Sequence, residues 1–151
     1  MKKYNINDNF KNVAPYSNIL IKMIIIIFFM MNICLTQSNI SKIERNFISG
    51  CAITSMILVY SIGCKDLELT KTSHDLFFFL TATSLIYVKS KMTLSLLLFV
   101  YVFMLLTRIY FKVCFIRFFS KNYYKPNASM RNYNIIMITY SLVILYKIIK
   151  N

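Results

Sequence analysis

The side chains that could do chemistry in this chain are few: four cysteines, one histidine and five acids. Metal or haem ligation needs Cys and His at short, convergent spacings, and a paired-thiol redox site needs neighbouring cysteines. Cys34, Cys51, Cys64 and Cys114 are far apart, with no C-x-x-C motif. With 2 glycines, a glycine-rich phosphate loop is excluded as well. We therefore predict no catalytic residue, no bound metal, no cofactor and no enzyme activity.

Three ionisable residues close to apolar runs are the remaining candidates for a site. His74 and Asp75 directly precede one run, and Glu44 precedes another. An ionisable group inside a bilayer indicates function by default, but none of these three lies within a run. We interpret His74 and Asp75 as a pair at the start of a helix, with Asp75 facing the positive end of the helix dipole. A membrane enzyme, a channel or a transporter is disfavoured for the same reason.

Long apolar runs dominate the chain and must position these residues. Residues 47–64 and 92–107 contain no charged side chain, and a spanning helix needs about 20 mostly apolar residues. Residues 19–35, 76–88 and 133–149 form runs that are shorter or carry one lysine. Hydrophobic residues make up 58% of the 151 residues, more than a soluble domain of this size can bury. We predict an all-α polytopic integral membrane protein, a single membrane domain over residues 1–151 with four to five transmembrane helices.

The two terminal runs each allow a second interpretation. Run 19–35 also fits a signal peptide with an apolar region over residues 23–31 and cleavage near Thr36. The long basic segment before it and the lack of a small-x-small cleavage site favour an uncleaved helix. Run 133–149 either spans the bilayer or lies in its interface.

Several local features predict how the middle of the chain is organised. Small residues such as Gly50 and Thr54 in the second run either allow close helix packing or merely reflect what membrane helices usually contain. The polar segment 65–75 is predicted to be a connector, with Thr72 or Ser73 capping the next helix. The short link 89–91 predicts a tight helical hairpin or a re-entrant pair. After Thr107, alternating basic and aromatic residues predict a helix that leaves the bilayer and lies along its surface.

The net charge of +13 is distributed around the runs, where lysine and arginine reach the lipid headgroups. We therefore expect membrane lipids as partners, and no nucleic acid. With five spans, one side carries six of the 18 basic residues and the other carries the rest. The six are Lys42, Arg45, Lys89, Lys91, Lys147 and Lys150. Because cytosolic loops are the more basic, the N-terminal segment 1–17 is predicted to be cytosolic.

A family resemblance rests on short motifs spread over about residues 9–118. They are Asn9, Tyr16 before the first span, Phe47 opening the second span and Val59-Tyr60 closing it, Asp66-Leu67 in the connector, His74-Asp75 before the third span, Thr81, and the exit Arg108-Ile109-Tyr110. In this layout the chain resembles the SRP-independent targeting membrane protein family, the transmembrane protein 208-like group. It departs from that pattern in its short connector, its apolar C-terminal run, and the lack of Pro and Trp near the end of the fourth span.

The resemblance implies a protein of the endoplasmic-reticulum membrane that helps to target or insert membrane proteins without the signal recognition particle. Its partners would be client membrane proteins and translocon components. Such a role needs no catalytic residue. A structural or accessory subunit of a larger membrane complex is the alternative function, and a small channel or transporter comes third.

Overall fold

Every element in the described part of the chain is helical. The computed structural model describes residues 14–111, 114, 116 and 129–150. A short 3-10 turn, Ala14–Tyr16, precedes five α-helices. They are α1 (Ser17–Leu35), α2 (Lys42–Gly63), α3 (Leu67–Tyr87), α4 (Lys91–Phe111) and α5 (Ser129–Lys150). The prediction of an all-α fold is confirmed.

Four of the five helices are long and apolar enough to cross a membrane, namely α1, α2, α4 and residues Tyr133–Lys150 of α5. The multi-pass membrane class predicted from the sequence is therefore confirmed. Helix α3 is not among the four, because Glu68, Lys71 and Asp75 make its first half polar. The predicted run 76–88 corresponds to the second, apolar half of α3 and the residue that follows it.

Contacts at the helix termini show that successive helices run in opposite directions. At the first end, where α1, α3 and α5 begin, Thr70 of α3 donates to the Ser61 hydroxyl of α2 at 3.0 Å. At the second end, where α2 and α4 begin, Arg45 donates to the Leu35 carbonyl of α1 at 2.7 Å. Lys147 at the end of α5 donates to the Val88 carbonyl after α3 at 3.3 Å.

The turn between α2 and α3 is far tighter than the predicted connector. Lys65 adopts a left-handed conformation with φ of 58°. The Asp66 N–H then donates to the Ser61 carbonyl and the Lys65 N–H to the Ile62 carbonyl, which is a Schellman ending for α2. Asp66 also caps α3, because its side chain accepts the Leu69 N–H at 3.0 Å.

The predicted cap at Thr72 or Ser73 is therefore wrong, and so is the placement of His74 and Asp75 at a helix start. Asp66 is the earlier residue able to act as an N-cap, and a helix starting there continues through the polar half. His74 and Asp75 consequently lie in the interior of α3. Asp75 is too far from the helix start to interact with its dipole, whose effect fades within the first turn.

Small residues form much of the interface between α2 and α3. Cys51, Thr54 and Ser55 are buried on α2, as are Thr81 and Ser84 on α3. A Cβ placed on Gly50 would lie 3.3 Å from a Leu80 methyl carbon of α3. The structure therefore supports the close-packing interpretation of the small residues in α2.

Helix α4 is the most buried of the spanning helices, and Tyr101 at its middle is fully buried. The Tyr101 hydroxyl donates to the Thr81 hydroxyl of α3 at 3.4 Å, and its ring packs against Tyr140 of α5. The cytosolic location predicted for residues 1–17 concerns mainly residues 1–13, which lie outside the described residues. Of the surface helix predicted after Thr107, the structure describes residues 108–111, which continue α4, and residues 114 and 116; the rest lies outside the described residues.

Candidate functional site

Glu44 is a buried acid at the second end, with the residue 2% exposed. Ser41 caps α2 by accepting the Glu44 N–H, which places the carboxylate toward the link between α3 and α4. There it accepts the backbone N–H groups of Lys89 and Ser90, each at 3.3 Å. The Ser90 hydroxyl in turn donates to the Gln37 side chain at 2.9 Å. Both carboxylate oxygens accept backbone hydrogen bonds, so Glu44 joins the α1–α2 pair to the α3–α4 pair.

Two cations at the second end satisfy helix C-termini. Arg45 donates to the carbonyl of Leu35, the last residue of α1, and to that of Gln37 just beyond it. Lys147 donates to the carbonyls of Leu85 and Val88 at the end of α3. Carbonyls at a helix end lack intrahelical partners, and cations there also complement the helix dipole. The structure thus groups Arg45, Lys89 and Lys147 at one end, as the sequence predicts.

A second cluster of buried polar groups lies at the first end. Arg108, near the end of α4, is only 6% exposed. It donates to the Asn134 side-chain oxygen of α5 at 3.0 Å and stands 5.4 Å from the Tyr133 ring centroid. A buried guanidinium needs such partners to offset its lost hydration. Arg108 therefore links α4 to α5.

The same end brings together a thiol, an imidazole and a carboxylate. Cys114 lies three residues beyond α4 and is 5% exposed; its Sγ is 3.5 Å from Nε2 of His74. Nδ1 of His74 is 3.3 Å from an Asp75 carboxylate oxygen, and the imidazole is 12% exposed. The order thiol, imidazole, carboxylate is the arrangement by which a base and its orienting group activate a nucleophile.

Electrostatics favour the charged form of this pair. Burial raises the pKa of the Cys114 thiol, but the attraction and hydrogen bond of His74, with a further contribution from Arg108, outweigh it and lower that pKa to about 6. Burial lowers the pKa of His74, but Cys114 and Asp75 raise it to about 9. The thiolate–imidazolium form therefore prevails near neutral pH.

The sequence gives no sign of the contact between Cys114 and His74, because 40 residues separate them. Only the up-and-down order of the helices, which brings the start of α3 and the end of α4 to one end, could have suggested it. Within the residues that the structure describes, no group of three or more His, Cys, Asp or Glu side chains could hold a metal ion.

A lateral groove opens between α1 and α4 near the second end. Its volume is about 260 Å³, and its walls are mainly apolar. It is lined chiefly by Met30, Ile33, Met92, Ser95, Leu96 and Phe99. All of these residues belong to α1 and α4, two of the helices long and apolar enough to cross a membrane.

Comparison of the chain with known protein families, characterised proteins and solved structures finds no significant match.

Proposed function

We propose that this protein binds apolar segments of other membrane proteins within the bilayer and so assists their SRP-independent targeting or insertion in the endoplasmic-reticulum membrane. The observation that carries the proposal is the lateral groove between α1 and α4. The family resemblance of the sequence supplies the process and the organelle. The groove supplies a surface on which a client segment can dock.

The groove has the chemistry of an adaptable apolar receptor. Met30 and Met92 contribute flexible thioether side chains, which adjust to client side chains of different shape. Ile33 and Phe99 line the groove and are exposed. A volume of about 260 Å³ accepts one or two large side chains of a client rather than a whole helix. We therefore expect a client helix to lie along the groove with anchors spaced three or four residues apart.

Helix α3 supports the same proposal through its length. Its apolar half, residues 76–87, rises about 18 Å at about 1.5 Å per residue, whereas the bilayer core is about 30 Å thick. A short apolar segment thins the surrounding bilayer. Thinner bilayer beside the protein reduces the energetic cost of moving the polar flanks of a client.

Orientation and location belong to the proposal as well. The more basic first end faces the cytosol, together with residues 1–17, and the second end with Arg45, Lys89 and Lys147 faces the lumen. A tag at the N-terminus should be removed by protease added to sealed microsomes. Full protection of the tag would reverse the orientation.

Photocrosslinking from the groove tests the function directly. A photoreactive amino acid at Ile33 or Phe99 should capture newly made membrane proteins in microsomes, while one at Phe79, an exposed apolar position on α3, should capture mainly lipid. Capture of a single stoichiometric partner instead would indicate an accessory subunit. Equal capture of clients from all three positions would refute the groove as the client site.

A groove-filling variant provides the functional comparison. Ser95 lines the groove and is exposed, so Ser95→Trp should block it and lower client insertion. Thr139→Trp places the same side chain on an exposed position of α5 and should leave insertion unchanged. Equal expression and equal carbonate resistance of the two proteins establish that the comparison concerns binding.

A further inference from the structure

The cluster of Cys114, His74 and Asp75 lies at the opposite end of the helices from the groove, and the proposed function makes no use of it. It combines a thiol with a strong acid–base partner beside the end of a spanning helix. On one side Cys114 packs in an apolar cluster with Leu20, Leu58 and Phe111. On the other side its Sγ meets Nε2 of His74 at 3.5 Å.

We propose that Cys114 is a peroxide-sensitive thiolate, paired with the His74 imidazolium, which hydrogen peroxide oxidises to a sulfenic acid. Burial selects the reactant, because at 5% exposure only a small electrophile can reach the sulfur. Hydrogen peroxide is close to water in size and carries no charge.

The groups around the sulfur match the requirements of the reaction. Sγ of the thiolate attacks one peroxide oxygen, the S–O bond forms, and the O–O bond breaks. Sulfur loses two electrons and the peroxide gains them. The leaving hydroxide takes the Nε2 proton of His74 and departs as water, so the products are a sulfenic acid and a neutral imidazole. The group that stabilises the thiolate thus also protonates the leaving group.

The neighbouring charges act in the same direction. Asp75 on α3 accepts from Nδ1 of His74 and acts as a positioning residue, which keeps Nε2 directed at Cys114. Arg108 on α4 adds positive charge near the sulfur. Oxidation replaces an anion by a neutral group, and it therefore removes the attraction that holds Cys114 to α3.

The test uses the full chain in detergent micelles with one cysteine retained. One protein keeps Cys114, and the control keeps Cys64, an exposed cysteine directly after α2 at the same end. After timed exposure to hydrogen peroxide between pH 5 and 9 and a catalase quench, unfolding in dimedone traps sulfenic acid for mass spectrometry. We expect the oxidation rate of Cys114 to follow a pH profile with its midpoint at about 6.

His74→Gln tests the pairing. Without the imidazolium the midpoint should move by two or more pH units toward the ordinary thiol value of about 8.5. At pH 6 the rate should fall about tenfold, since the smaller thiolate fraction is partly offset by its greater nucleophilicity. Asp75→Asn should shift the midpoint less.

Three results would overturn the proposal: no oxidation of Cys114 while Cys64 reacts, a native midpoint above about 8, or a midpoint that His74→Gln leaves in place. If the His74→Gln protein does not fold, the native profile alone still decides, because only a stabilised thiolate gives a midpoint near 6.

Discussion

Glu44 is the residue whose replacement should most directly loosen the second end. Its carboxylate is almost fully buried and accepts two backbone N–H groups, from Lys89 and Ser90. In Glu44→Gln the side-chain oxygen still accepts one N–H, but the amide NH₂ group faces the other backbone N–H, and two donors cannot form a hydrogen bond. One hydrogen bond is lost, and the surviving bond loses its charge.

The magnitude follows from the two bonds. A hydrogen bond to a charged group contributes about 1.5–3 kcal/mol, and separations of 3.3 Å place these bonds at the weak end of that range. Losing one bond and weakening the other costs about 2–3 kcal/mol, and the smaller cost of burying a neutral side chain offsets part of this. We expect Glu44→Gln to lower the free energy of unfolding by about 1–2 kcal/mol. Glu44→Ala, which leaves two donors without acceptors, should lower it by about 2–5 kcal/mol.

Thermal unfolding in detergent and amide hydrogen exchange together measure the effect. A loss of about 1–2 kcal/mol corresponds to a fall in Tm of about 2–8 °C for a chain of this size. It should also speed exchange at the Lys89 and Ser90 amides by about tenfold. Glu68→Gln is the matched control, because Glu68 is an acid in the first turn of α3 that is exposed. Unchanged exchange at both amides in Glu44→Gln would refute the reasoning.

Three further substitutions test the helix packing and the helix ends. Gly50→Leu should separate α2 from α3, since even a Cβ at Gly50 lies 3.3 Å from a Leu80 methyl carbon. Gly63→Leu is the control, because the added side chain enters open space. We expect a lower Tm in the Gly50 variant only, and equal Tm values for the two variants would contradict the packing. Lys65→Gly should raise the free energy of unfolding by about 1 kcal/mol, because glycine adopts positive φ without the penalty of a side chain; a fall in Tm would show that the Lys65 side chain outweighs it. Lys147→Met should lower Tm by leaving carbonyls after α3 without their cation, and no change would mean that solvent satisfies them.

The helical membrane class was predictable because it depends on composition along the chain. Residues 47–64 and 92–107 exclude charge over lengths that only a spanning helix requires. Helix α2 starts five residues before the first run and ends at Gly63, one residue before its end, while α4 covers the whole second run with one residue more before it and four more after it. The earlier starts come from capping chemistry. Ser41 and Ser90 stand just before their helices, and the Ser41 side chain accepts an N–H of the first turn.

Helix α3 was harder to predict because two signals conflict there. Hydropathy places its start at residue 76, while capping places it at Asp66, and the structure follows capping. The chain can end one helix and begin the next within Lys65 and Asp66 because the lysine accepts a left-handed conformation that glycine usually occupies. No pattern of apolar residues reveals that choice.

The contact between Cys114 and His74 depends both on how the helices are arranged and on where α3 begins, which explains why residue spacing missed it. Spacing finds sites whose members share one helix or one turn, whereas this pair needs the direction of α3 and α4 and also the true start of α3. Had α3 begun at residue 76, His74 would stand outside the helix, and its ring would have no fixed direction. Because Asp66 starts the helix earlier, His74 is held within a regular turn and its imidazole remains 12% exposed. The same polar half that keeps α3 from resembling a spanning helix thus places the one histidine of the chain against a thiol.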